Sequence, residues 1–414
     1  MVSEHRSSVW TLALLAGVWV GCTEKMPAAE SGVPEAGAEV DGEVDGGVPA
    51  PDATVQPDAL DSRPSPSPAY DRYLPQLTAD ECAFDEPFES ALAESEFRRR
   101  DVCDAGCEFS SLADAIAAAE PYDDIRLAPG LHSACIDTSV SPLIIQGDGD
   151  LAVIESSCAD PDAEVLTFGS EFLVLRNLHL RGDIEAVAPL GTGVRLGSRL
   201  VEARLHRVWI EGFGTAISGT SNGRLWLDQV KVQYSGRFNY RTTHQASVLN
   251  VSPRDGLWIS RSVFSHFRER AWLMSNRETR RVEFVCNVIA KVLPDSGSDH
   301  SFHIFRHPGP FRFYRNFINE SQGRLVIYMY RPGPGSSLDF VDNQILFDQE
   351  RSTVANVGGE IPIRFIGNQV IGEAEALGGG NIVESSNNTV FETRAAAGIG
   401  PFPALPESWP IERL

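Results

Sequence analysis

From Leu173 onward one short pattern of apolar and polar positions recurs. The segments are LVLRNLHL (173–180), RLHRVWI (204–210), LWLDQVKV (225–232), LWISRSVF (257–264), EFVCNVI (283–289), FRFYRNFI (311–318), DFVDNQIL (339–346), RFIGNQVI (364–371) and SSNNTVF (385–391). Each sets apolar residues on both sides of a polar centre: Asn177, Arg207, Gln229, Arg261, Asn287, Asn316, Asn343, Asn368 and Asn388, spaced 20 to 32 residues apart. A period of that length is the mark of stacked supersecondary units. Three residues before the centre stand Val174, Trp226, Trp258, Phe284, Phe313, Phe340 and Phe365. Stacked units would bring these side chains together at the inter-strand distance of about 4.8 Å. The residue before the centre is mostly polar (Arg176, His206, Asp228, Arg315, Asp342) and is expected to face solvent. Asn at a bend tolerates a left-handed backbone, and stacked Asn side chains can hydrogen-bond along a column. The run from Asn287 to Asn388 is unbroken, whereas Arg207, Gln229 and Arg261 interrupt it earlier.

A second strand follows in each unit: GVRLGS (193–198), TAISGT (215–220), SVLNVS (247–252), AWLMSN (271–276), FHIFRH (302–307), LVIYMYR (325–331), TVANVG (353–358) and NIVESS (381–386). The units lack the LxxLxLxxN consensus and helical half of a leucine-rich horseshoe, and the period is too short for a propeller.

Ahead of the repeats, residues 109–119 form an amphipathic helix, with Ser111 and Asp114 spaced as a capping box. Asp-x-Ile-x-Leu-Ala-Pro-Gly (123–130) and the apolar strand Leu143–Gly147 follow. This opening resembles that of the pectin-lyase-like superfamily of right-handed parallel β-helices. The resemblance implies an all-β, right-handed parallel β-helix of roughly ten rungs over residues 109–395, with the N-terminal helix plugging one end. A solenoid needs such a plug, because its first rung otherwise exposes core and strand edges.

The N-terminus changes the picture from a bare domain to an exported one. Arg6 and the apolar run Val9–Val20 read as a signal peptide over residues 1–21, and Val20-Gly21-Cys22 resembles a bacterial lipobox, with Trp19 where Leu is usual. Cys22 is therefore the expected lipidation site, and Thr23 after it points to the outer membrane. Residues 22–75, rich in Pro, Ala, Gly, Asp and Glu, cannot bury enough apolar area to fold and read as a disordered tether. Residues 76–108 read as a Cys-containing cap or strap, and residues 396–414 as a C-terminal tail. Export permits disulfides. Five of the six remaining Cys lie between Cys82 and Cys158, so bridges are expected there, and Cys286 reads as a candidate free thiol.

The net charge of −22 argues against nucleic-acid binding. Residues 257–335 reverse it locally, with twelve Lys and Arg against six Asp and Glu. A positive field in an acidic chain favours an anionic ligand. In the resembled family ligands lie on the second strand type. Alternation there turns Ala271, Leu273, Ser275, Phe302, Ile304, Leu325, Ile327 and Met329 inward. It turns Trp272, Met274, Asn276, His303, Phe305, His307, Val326, Tyr328 and Tyr330 outward. An anionic polysaccharide is the expected partner, with Trp272, Asn276, Phe305 and Arg306 as substrate contacts. A lyase would use His303 or His307 as base, Tyr328 or Tyr330 as acid, and Arg331 or Arg306 to neutralise the carboxylate; a glycoside hydrolase would instead need two facing carboxylates, for which Asp295, Asp299 and Glu320 are the nearby candidates. The alternative is a non-catalytic surface protein that binds a glycan or a protein partner through the same face. The chain shows no Asp cluster for calcium, so no metal or cofactor is expected, and a monomer is.

Overall fold

A computed structural model describes residues 80–397, apart from 85–89, 91–95, 150–151, 161–162, 183–190, 222, 236–246, 268–269, 275–278, 291–299, 306–307, 321–324, 348–352, 373–380 and 394. All described residues belong to the second of the two units into which the chain divides, Pro64–Leu414. The signal peptide, Cys22, the tether and most of the C-terminal tail lie outside the described residues.

The described chain is a parallel β-solenoid, consistent with a pectin-lyase-like β-helix. Most turns contribute three strands; in two of them the first two run together as Phe172–Arg181 and Glu202–Glu211. The first two, such as Val282–Val285 and Val288–Ala290, flank a tight bend and belong to one 21-stranded sheet. The third, such as His300–Phe305, belongs to a nine-stranded sheet, whose first and last strands are about eight turns apart. All pairings are parallel and connect successive turns, so one hydrophobic core runs the length of the coil. Arg98–Val102 pairs with Asp123–Leu127 and begins the large sheet. Helix Leu112–Ala117 is N-capped by Ser111, which accepts from the Asp114 amide, and buries Leu112, Ala115 and Ile116 against the first turns.

The aromatic column forms where the spacing is regular. Phe284, Phe313, Phe340 and Phe365 are in register and stack with centroids 5.2, 4.9 and 5.2 Å apart. In the earlier turns the expected alignment slips by one residue: Trp258 aligns with Glu283, and Ile259 occupies the Phe column. The bend explains the slip. The left-handed residues are Asn177, Arg207, Gln229, Arg261, Cys286, Arg315, Asp342, Gly367 and Asn387. The stacked inward position is the next residue in each case: Leu178, Val208, Val230, Ser262, then Asn287, Asn316, Asn343, Asn368 and Asn388. The ladder Asn residues therefore do not carry the left-handed backbone; their predecessors do. Segment Asn381–Ser386 also differs from expectation, since it pairs with Pro362–Ile366 in the large sheet.

The Asn ladder is fully bonded. The Ser262 amide donates to Asn287 Oδ1 at 2.9 Å. The backbone N–H of Asn287, Asn316, Asn343 and Asn368 each donates to the Oδ1 of the next Asn, at 2.9 to 3.0 Å. Each of these Nδ2 groups donates to the same oxygen and to the carbonyl of a residue in the Phe column, from Ile259 to Phe340. Such satisfaction is what makes a buried amide tolerable.

Three disulfides are present: Cys103–Cys107, Cys135–Cys158 and Cys82–Cys286. Cys286 is thus not a free thiol. It anchors residues 80–84 outside the bend, where Cys82 and Phe84 pack on Val285 and Tyr314 and the Arg315 guanidinium donates to the Glu81 carbonyl at 2.6 Å. The sequence gives no hint of a pairing across 204 residues, because it depends on which turn the strap reaches. Three disulfides fit an oxidising compartment.

Candidate functional site

The third face positions the sequence-predicted residues by backbone register. Phe302 pairs with Ile327 and Ile304 with Met329, and all four are fully buried in the core. The residues between them, His303 and Tyr328, therefore share an outward row on adjacent turns, with Asn356 next in line. The His303 and Tyr328 rings meet edge to face, with centroids 5.2 Å apart and planes at 85°. His303 is only 9% exposed, Tyr328 is half-buried and Asn356 is exposed. Two residues further along, Tyr330 is 37% exposed, and the Arg331 guanidinium carbon lies 4.9 Å from its ring centroid. Arg331 has a left-handed backbone, φ 50°, at the turn that leaves the strand.

Other expectations for this face change. The register pairs Trp272 with Phe302 and Leu273 with His303, one residue away from the alignment expected by alternation. Trp272 thus occupies the row of Leu249, Phe302 and Ile327. Val326, expected outward, is fully buried in the core, as are Val165, Ala216, Val248, Ala271 and Val354 near the starts of their strands. Alternation begins one residue later, because each strand enters from a corner where consecutive residues both pack inward. The side chains of Trp272 and Phe305, and all of Asn276, Arg306 and His307, lie outside the described residues. Asn356 was missed by the sequence reasoning, although its place in TVANVG between buried Ala355 and partly covered Val357 carries the same alternating signal.

The local positive charge is also redistributed. Arg261 pairs with Asp228, Arg280 with Asp255, and Arg281 and Arg312 with Glu283. Arg312 also reaches Asp339, and Arg315 reaches Asp342. These arginines belong to the first face and the bend. Register places Glu283, Arg312, Asp339, Arg364 and Glu384 in one row of alternating sign down the first face. Of the positively charged side chains described in residues 257–335, Arg331 is the one at the candidate site. Asp228 is 1% exposed and accepts from His206, Ser260 and Arg261. Burial alone would raise its pKa, but the hydrogen bonds from His206, Arg261 and Ser260 outweigh it and hold the carboxyl below its ordinary range.

Among the described residues no group of three or more His, Cys, Asp or Glu is placed to hold a metal ion. The arrangement on the third face therefore offers an imidazole, two phenols, a carboxamide and one guanidinium. That set can bind hydroxyls and a carboxylate, and it contains groups able to move a proton. Compared with protein-family models, curated proteins and solved structures, the chain matches none.

Proposed function

We propose that this is an exported β-helix protein of pectin-lyase-like type, lipid-anchored at Cys22, whose third face binds an acidic polysaccharide. The observation that carries the reading is the juxtaposition on adjacent turns of His303 and Tyr328, beside Tyr330 and Arg331. Aromatic rings with polar tips suit sugar rings, and a guanidinium pairs well with a uronate carboxylate. If the ligand is turned over, β-elimination is the reaction this set supports. His303 would take the proton beside the carboxylate, Tyr328 would supply one to the leaving oxygen, and Arg331 would stabilise the charge that develops.

A second reading, glycan binding without turnover, is favoured by the burial of His303, which leaves little of the imidazole open to a substrate proton. The two are separated by incubating the chain from residue 76 onward with acidic and neutral polysaccharides. Ultraviolet absorbance of unsaturated uronates and binding are followed on the same samples. For a lyase, His303→Ala lowers turnover by at least about a hundredfold with binding retained. Binding of acidic polymers with no absorbance change supports the adhesive reading. Neither binding nor product across the acidic polymers rejects the site.

A further inference from the structure

Strand Arg98–Val102 and helix Leu112–Ala117 are joined by a loop that holds the shortest-range of the three disulfides. Cys103 and Cys107 are four positions apart, against 23 for Cys135 and Cys158 and 204 for Cys82 and Cys286. Residues 104–108 are all exposed and Cys103 is half-buried, whereas Cys82 and Cys286 are only 4 and 1% exposed. The stem of this loop closes without the disulfide. The Cys103 N–H donates to the Phe109 carbonyl and the Phe109 N–H to the Asp101 carbonyl, both at 3.1 Å. The Arg100 guanidinium pairs with Glu108 at 2.8 Å and lies 4.8 Å from the Phe109 ring centroid, and Phe109 packs against the core. These contacts hold the two ends of the loop whether or not the sulfurs are bonded.

A disulfide stabilises a fold less the shorter the loop it closes. By the same cycle, the fold protects such a disulfide least against reduction. Attack also needs an open sulfur, and Cys107 offers one where Cys82 and Cys286 do not. Cys135 is exposed as well, but its bond closes a longer loop and ties two successive turns together. We propose that Cys103–Cys107 is a thiol-exchange site, at which the chain takes up a thiol-bearing molecule through Cys107 while the solenoid stays folded. The incoming thiolate attacks Cys107 Sγ. The bond between Cys103 and Cys107 breaks, and its electron pair leaves on Cys103 Sγ, which takes up the proton that the incoming thiol gave up. One S–S bond replaces another, so this step needs no further oxidant or reductant. A second equivalent of thiol releases the symmetrical disulfide of the reagent and leaves both cysteines as thiols. Asp104 and Glu108 flank the sulfurs in a chain of net charge −22, and their field disfavours an anionic reagent. The site therefore fits a thiol carried on a neutral or cationic molecule. It does not depend on the third-face reading.

The test incubates the folded full chain near neutral pH with graded cysteamine or glutathione, the one cationic and the other anionic. Acid stops the exchange, free thiols are alkylated, and peptide mass mapping reads each cysteine separately. Cys103 and Cys107 should open at thiol concentrations at least about tenfold below those that open either other pair, with the adduct on Cys107. At equal thiolate, cysteamine should react faster than glutathione, and that ratio should fall at least about threefold in Asp104→Asn or in about 0.5 M salt. The double variant Cys103→Ser, Cys107→Ser should melt within about 2 °C of the parent, whereas Cys82→Ser should melt clearly lower. Opening of Cys103–Cys107 only together with the other pairs, or only as the chain unfolds, overturns the proposal and makes the bond a structural staple. An adduct found mainly on Cys103 overturns the assignment of the attacked sulfur. A ratio indifferent to Asp104 and to salt overturns the fit to a neutral or cationic thiol.

Discussion

In the turns up to Val230 the inward position after the bend is hydrocarbon: Leu178, Val208 and Val230, all part of the core. From Asn287 to Asn388 the same position is a carboxamide, and Asn287, Asn343 and Asn368 are fully buried. The backbone is alike in both halves, with a left-handed residue just before this position in every turn. Hydrocarbon needs nothing from its neighbours, so it can occupy any single turn. A buried Asn bonds through both Nδ2 hydrogens and its backbone N–H where the next turn also carries Asn, so a run satisfies each member more fully than a lone Asn. Ser262 is the adaptor between the two. Its amide donates to Asn287, its hydroxyl donates to the Ser260 carbonyl, and that hydroxyl accepts from the Val230 amide.

The largest effect should come from cutting the amide half in its middle. Asn316→Leu removes the acceptor of the Asn287 amide, one of the two Asn287 Nδ2 bonds and the bond to the Phe284 carbonyl together. At about 1–3 kcal/mol per orphaned group, a loss near 4 kcal/mol is expected in chemical denaturation. The reverse graft should cost less. Val208→Asn places a lone amide between Leu178 and Val230 and should lose about 2 kcal/mol; a neutral outcome would show that the halves are interchangeable. Asp228 gives the hydrocarbon half its own signature. Its folded pKa lies below the ordinary value, so the stability it contributes is present above about pH 4 and is lost as pH falls through the folded value. Asp228→Asn should therefore melt earlier at neutral pH yet show a flatter decline below pH 4. The smallest effect belongs to the alternating row of the amide half. Arg364→Ala, partly exposed between Asp339 and Glu384, should cost less than about 1 kcal/mol, and salt should reduce the difference further.

The repeat was legible because Phe284, Phe313, Phe340 and Phe365 are large, apolar and regularly spaced. The run of Asn marked the bend for the same reason. The earlier turns misled for a physical cause. Where the inward position is not Asn, the polar residue at the centre of the repeat is the left-handed one, so Arg207, Gln229 and Arg261 belong one residue before the Asn column. At the third face, alternation put His303 and Tyr328 in one row, as the register does. At Trp272 the register differs by one residue from the alignment that alternation gives, because a corner shifts the phase there. The positive stretch was legible as composition, but its destinations were not. Arg261 and Arg312 meet acids from other turns, and only the stacking brings those together.

The bond between Cys82 and Cys286 also decides how the molecule would carry a mechanical load. A pull on the chain ahead of Cys82 enters the solenoid at Cys286, just before the first Asn of the ladder, and not at Arg98 on the first strand. The two cysteines are 204 positions apart in sequence, and the chain between them forms a loop that the tension bypasses. The helical plug and the hydrocarbon turns would keep their shape under such a pull, while the strain falls on the turns held by stacked amides. There the row Asn287, Asn316, Asn343, Asn368 and Asn388 would resist peeling as a series of fasteners, each of which must open before the next is loaded.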